Sequence, residues 1–313
     1  MLSRVANRLY WFGRYLQRAE NTARLVGVHA HLLLDLPRNI EFGWAPLVQI
    51  LGVEDDFQAR YGEASEANVV RFLIVDTENP SSIASSVHSA REILRTIRDT
   101  MPIDAWEKLN DLHFFLQEKG EKCLGRAKRF ELLSRIIDAS LLLDGILLSN
   151  MSHDVGFQFL RLGTNIEQAD MTTRIVDVRS SSLIKPQGLE RGGDELKPFQ
   201  NIQWMSVLRS LMAYQMYRRH ERARVTGAAV LRFLLQNRDF PRSVTFCLNS
   251  VGSTLPLLPP SRAVERALER TRALVRDANL DKLLDAGLHE RIDEIQVGLA
   301  RLHEAISAAY FKA

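Results

Sequence analysis

Residues 12–28 read FGRYLQRAENTARLVGV, and residues 162–178 read LGTNIEQADMTTRIVDV. Six of the seventeen aligned positions are identical: Gly13/Gly163, Ala19/Ala169, Thr22/Thr172, Arg24/Arg174, Val26/Val176 and Val28/Val178. Leu16/Ile166 and Glu20/Asp170 are conservative pairs. In both stretches apolar residues recur at spacings of three and four, the period of a helix. A self-match of this kind is the signature of a repeated structural unit.

Working outward, VVRFLIVDTENPSSI at 69–83 aligns with VLRFLLQNRDFPRSV at 230–244, again with six identities in fifteen. Between the two matches Trp44 aligns with Trp204. The extra residues this requires fall in the Lys185–Pro198 loop, which contains Pro186, three glycines and several charges. Three colinear matches predict an all-α, multi-helix bundle made by tandem duplication, with internal repeats 1–150 and 151–313. The matched units proper span about 1–125 and 151–285, each followed by a long helix. Equivalent helices should pack around an approximate two-fold axis and share one core, so residues 1–313 read as a single domain. They should meet at small residues, because Gly and Ala let backbones approach.

The periodicity places a first helix over Ser3–Leu36, stopped by Pro37, then helices over Trp44–Gly52 and Ala67–Asp76. Asn79-Pro80-Ser81 starts the next, with proline near its first turn, running to about Asp99. Further helices are predicted over Pro102–Gly120, Arg126–Asn150, Asp154–Ser180, Trp204–Met216 and Arg219–Leu235. Pro241-Arg242-Ser243 opens another, SVGSTLPLLPP from Ser250 is a break, and helices over Ser261–Ala278 and Ala286–Phe311 close the chain.

A net charge of +3 over 313 residues gives no reason to expect a nucleic-acid binder, which usually carries a concentrated basic face. Only eight of the 41 basic residues are lysine; arginine suits bidentate pairing and tolerates burial better than lysine, but a GC-rich genome accounts for the bias more simply. Cys123 and Cys247 are too few for a disulfide framework, and no Cys/His cluster has zinc spacing, so neither a metal nor a cofactor is expected. Arginines interrupt the N-terminal stretch, leaving no apolar core for a signal peptide. The longest apolar run, Ser140–Leu148, is broken by Asp144 and is too short to span a bilayer. No membrane association is expected, and a cytoplasmic location follows by default.

The polar residues that stand out lie on the two matched stretches. Gln17, Glu20 and Arg24 share one side of the first helix at spacings of three and four, and Glu167, Asp170 and Arg174 repeat them. Arg14, Arg18 and Asn21 add a neighbouring stripe to the first copy only. Apolar residues surround them on most sides, so these charges should be buried and therefore paired. One reading is an ion-pair network that fixes how the halves dock. The other is a central pocket in which arginines clamp an anion beside a perturbed Glu20 or Asp170. Repetition favours the first, since a catalytic group is needed once. Arg71 and Arg232, which precede Phe-Leu in the second match, and Arg242 form a secondary set read as capping or pairing residues. The run Arg218–Arg224 reads as a solvated face able to receive an acidic partner. Ser3, Ser82 and Ser243 read as helix caps. His29 and His31 point different ways on a helix and make poor metal ligands. No catalytic residue is assigned.

LSRVANRLYWFGRYLQRAENTARLV from Leu2 and FLRLGTNIEQADMTTRIVDV from Phe159 resemble the alpha-E domain family, a bacterial all-helical family with a conserved Glu-Arg motif. The resemblance continues through NPSSIASSVHSAREILRTIRD, AWEKLN at 105–110 and FPRSV. It implies a gene neighbourhood of circularly permuted ATP-grasp ligases and transglutaminase-like proteases, and so a place in a system that forms peptide or amide bonds. It carries over no activity. The family's Glu-Arg pair stands here as Gln17-Arg18 in the first copy and Glu167-Gln168 in the second. One complete pair survives if Arg18 meets Glu167 across the pseudo-two-fold.

Three functional readings follow. The chain is a non-catalytic helical partner or scaffold of an ATP-grasp-type ligase or a transglutaminase-like protein. Alternatively it is an enzyme component acting on amide or peptide substrates, which requires a cavity reaching Arg14, Arg18, Glu20 or Asp170. The third is a purely structural helical protein without a ligand.

Overall fold

The computed structural model describes residues 2–35, 43–181, 197–221, 225–285 and 287–312. Among these the chain is helical and contains no strand. Helix α1 runs Ser3–Asp35, with Ser3 as its first residue. Leu36 and Pro37, its expected end and stop, lie outside the described residues, as does most of the Lys185–Pro198 loop. Helix α2, Ala45–Leu51, follows Trp44 and ends on Gly52 at φ 65, a left-handed cap. Helix α3, Glu54–Tyr61, has no counterpart in the sequence reading. Its one fully buried side chain is Phe57, and a single anchor gives no periodic signal.

Helices α4, Glu66–Ile74, and α5, Ile83–Thr96, each begin after a serine whose hydroxyl accepts the N–H three residues on. The α5 cap is Ser82, so Pro80 sits in the turn before the helix and not in its first turn. Helices α6, Ile103–Lys119, α7, Arg126–Asn150, and α8, Val155–Ser181, fall where periodicity places them. Beyond them several expected boundaries fail. The predicted Trp204–Met216 helix is two helices, α9 at Lys197–Ser210 and α10 at Tyr214–His220. Met212 between them has φ 55, a left-handed conformation that terminates α9. The predicted Arg219–Leu235 helix is likewise replaced by α11, Gly227–Gln236, capped by Thr226.

Ser243 caps α12, Val244–Thr254, which continues through the expected break at Ser250. Only a 3-10 turn at Leu255–Leu257, centred on Pro256, interrupts the path. Helices α13, Arg262–Arg276, α14, Leu280–Asp285, and α15, Leu288–Tyr310, complete the fold.

The core is built around α1 and α8. Leu9, Phe12, Leu16, Ala23, Leu25 and Val26 of α1 are buried, as are Leu160, Leu162, Ile166, Ala169 and Ile175 of α8. The two helices cross at their shared glycines. A Cβ on Gly13 would stand 2.6 Å from the Leu160 carbonyl oxygen, and one on Gly163 would land on the Tyr10 carbonyl. Helix α1 also packs on α5, α7 and α9, while α8 packs on α12, α15 and α2. Helix α6 bridges α5 and α7, and α13 bridges α12 and α15.

Candidate functional site

The α1/α8 crossing carries the polar residues one turn beyond the glycines. Glu167 of α8 receives Arg14 Nε at 2.6 Å, Arg18 Nε at 2.7 Å and Arg18 Nη2 at 3.1 Å. Arg18 thus grips the carboxylate with two bonds, the strongest common geometry for this pair. The cross-pair expected from the split Glu-Arg motif is formed. The Glu167 side chain is 3% exposed. Burial pushes its carboxyl up, but the guanidiniums of Arg18 and Arg14 outweigh that and hold it at about 2. The guanidiniums lie over aromatic faces, Arg14 5.0 Å from the Trp11 ring and Arg18 5.6 Å from the Tyr15 ring. Beside them the Tyr10 hydroxyl and His303 Nδ1 share a hydrogen bond of 2.7 Å. Burial raises the Tyr10 phenol to about 12, and burial together with Arg14 lowers His303, so both partners are held towards their neutral forms.

A second cluster lies further along α1. Arg24 Nε donates to Glu20 Oε1 at 2.7 Å, and Arg242, just before α12, donates to the same oxygen at 2.8 Å. Arg242 Nη1 also donates to Asn21 Oδ1 at 2.7 Å. Arg242 therefore ties the start of α12 to α1, and Thr172 of α8 secures that turn by donating to the Arg242 carbonyl. Glu20 is fully buried. The corresponding pair in α8, Arg174 to Asp170 at 2.8 Å, is partly exposed and shares no hydrogen bond with either cluster, although the Asp170 charge acts on Arg14. Arg71 with Glu121 and Arg232 with Asp281 are exposed surface pairs, which contribute little. Arg218 and Arg219 are exposed on α10, while Arg222 and Arg224 lie outside the described residues.

One residue escaped the sequence reading as a site residue. Asp144 of α7 accepts from Gln17 Nε2 at 3.0 Å. Burial raises its carboxyl to about 7, helped by the Glu20 charge and opposed by Arg242. The visible signal was a lone aspartate inside the apolar run Ser140–Leu148. A folded carboxyl held above its unfolded value, near 4, loses stability as pH rises between the two values. Asp144→Asn should therefore stabilise the protein, with a gain that grows from pH 4 to pH 7 and then levels off at on the order of 1 kcal/mol or more. Urea midpoints across that range check the sign; a gain independent of pH would refute it.

Among the described residues no group of three His, Cys, Asp or Glu side chains is placed to hold a metal ion, and no helix is long and apolar enough to cross a membrane. His29 bonds the Gly43 carbonyl and packs on Trp44. Cys123 and Cys247 are both free thiols.

Fold and site together define an all-helical protein whose two central helices are locked by buried arginine–carboxylate pairs. The Alpha-E family, described as a predicted alpha-helical domain with a conserved ER motif, matches residues 1–311, and the chain belongs to that family. Relatives include uncharacterized proteins of Mycobacterium bovis and Mycobacterium tuberculosis, each 25% identical over 320 residues, covering 95% of this chain and 35% of theirs. The chain thus spans about a third of the length of the curated relatives it matches. No solved structure matches it.

Proposed function

We propose that this chain is a non-catalytic helical module that works docked on a second protein, an ATP-grasp-type peptide or amide ligase being the partner the family resemblance implies. The observation that carries this reading is the length of the relatives. In them the matched region is one part of a much longer chain, permanently joined to other sequence. A region that is joined to further sequence in its relatives is suited to working against another protein unit.

The state of the motif residues supports the reading. The Glu-Arg pair is consumed in a buried bridge, with Glu167 gripped by two guanidiniums and far too weak a base for proton transfer near neutrality. Glu20 is closed off from solvent. Such a network specifies one arrangement of helices and leaves the surface to do the binding. On α7, Leu141, Gly145 and Leu148 line up one side at spacings of four and three, and the two leucines are 47% and 62% exposed. Contiguous exposed apolar surface marks interaction sites. The parallel neighbour sets of α1 and α8 support the two-unit reading of the same architecture.

Co-expression with an ATP-grasp-type ligase from the same genome tests the proposal. A stable complex should elute as one species at micromolar concentration, and Leu141→Glu with Leu148→Glu should abolish it while leaving the thermal midpoint nearly unchanged. Absence of any complex at that concentration overturns the reading.

A further inference from the structure

The face of the α1/α8 crossing away from Tyr10 and His303 is open. Between α1, α7, α8 and α12 lies a cleft of about 270 Å³. Its apolar walls include Leu16, Leu147, Phe157 and Phe246. Two charged side chains also line it, Asp144 from α7 and Arg161 from α8. Asp144 has Gln17 as its one hydrogen-bond partner and makes no ion pair among the described residues. The Arg161 guanidinium has neither an ion pair nor a hydrogen bond among them; the bond at this residue is accepted by its backbone carbonyl from Asn165. Opposite charges that share a cleft without meeting each other present two ends of a recognition site.

The alignment of the two stretches explains why space exists here. Where the first has Arg14 and Tyr15, the second has Thr164 and Asn165, and both of these line the cleft. On the first side, Arg14 and its aromatic neighbours fill the corresponding region. On the second, the shorter side chains leave it open. The volume lies just below the roughly 300–1,000 Å³ typical of small-molecule pockets, as suits a small ligand.

We propose that this cleft binds a small zwitterion with an apolar side chain, an amino acid or dipeptide, its ammonium on Asp144 and its carboxylate on Arg161. An ammonium supplies the counter-charge that the Asp144 carboxyl lacks, in a setting where burial makes each charged hydrogen bond count. A carboxylate is the natural complement of a guanidinium fork. The walls take the aliphatic part. This site goes beyond the docking role and does not depend on it, since it needs the isolated chain alone. The groups facing Asp144 are Gln17 and Glu20 from α1, Arg242 from the start of α12 and Arg161 across the cleft. Because the raised carboxyl must be ionised to hold an ammonium, binding should tighten as pH rises through about 7.

Calorimetric titration of the full chain with L-leucine and with L-leucyl-L-leucine provides the test, and their relative affinity tells free amino acid from dipeptide. At least one should bind one-to-one. Leucinamide lacks the carboxylate and N-acetyl-leucine lacks the ammonium, so each should bind about tenfold more weakly or worse. Arg161→Gln should cause the same loss with an unchanged melting curve, since that side chain has no partner to leave behind. Asn165→Tyr should fill the cleft and abolish binding. Asp144→Asn should lose binding while gaining stability, separating a ligand role from a structural one. If neither probe binds at millimolar concentration, or if Arg161→Gln binds as tightly as the unaltered chain, the proposal is overturned.

Discussion

Glu167→Gln should destabilise the protein by about 3–5 kcal/mol, the usual result of leaving a buried charge without its partner. The loss is large because one carboxylate serves two cations. Arg14 and Arg18 have side chains only 11% and 18% exposed, and both bond Glu167. Neutralising it leaves two guanidiniums side by side with no compensating charge. Against a typical stability of about 5–15 kcal/mol this is a substantial fraction of the whole. The pair itself need not add much net stability, because desolvation offsets attraction. Replacing all three residues by methionine should therefore cost far less than the single change. Restoring the family's dipeptide by Gln17→Glu should not rescue Glu167→Gln, since residue 17 meets Asp144 and the new carboxylate would face another acid. Urea unfolding of the four proteins measures each claim. The pH dependence has a definite sign. Glu167 is held at about 2, below its unfolded value, so its contribution is complete above about pH 4.5 and is lost as pH falls towards 2. A single variant losing under about 1 kcal/mol would mean that the bridge does not hold α1 on α8.

This bridge was legible in the sequence, and the cleft was not, for one physical reason. Arg14, Arg18 and Glu167 lie on long helices that are apolar on most sides, so burial follows from periodicity and pairing follows from burial. The partner could be named because the motif was split between two aligned stretches. Arg242 was flagged without its role: its contact with Glu20 joins residues 222 positions apart, a distance that no local pattern spans. Asp144 was seen as an interruption of an apolar run, which settled only that the run cannot cross a membrane. Its raised carboxyl arises from neighbours on other helices. Helix boundaries failed where the backbone leaves the ordinary region at a residue with no such preference, as at Met212. They also failed where a helix buries too little to show a period, as at α3. The partly exposed Asp170–Arg174 pair shows that aligned residues can share a bond and differ in burial.

Gly163→Ala should cost about 2–3 kcal/mol or more, although alanine is the better helix former. In an exposed helix interior the same substitution gains about 1 kcal/mol, through propensity alone. At 163 the added methyl would land on the Tyr10 carbonyl, with the Tyr10 Cα at 3.2 Å. These are backbone atoms of α1 and cannot rotate aside as a side chain can. The helices must separate or slide, and Glu167, one turn along α8, moves with them. Gly13→Ala meets the Leu160 carbonyl oxygen at 2.6 Å and the Thr164 hydroxyl at 2.8 Å, so it should act in the same direction. Gly145→Ala is the internal control. It lies on the exposed side of α7 with nothing within 4 Å of the new Cβ, and should stabilise by about 1 kcal/mol. Three alanines in three helices thus separate propensity from contact. If Gly163→Ala were as stabilising as Gly145→Ala, the close crossing of α1 and α8 would be wrong, and the geometry that delivers Arg14 and Arg18 to Glu167 would fall with it.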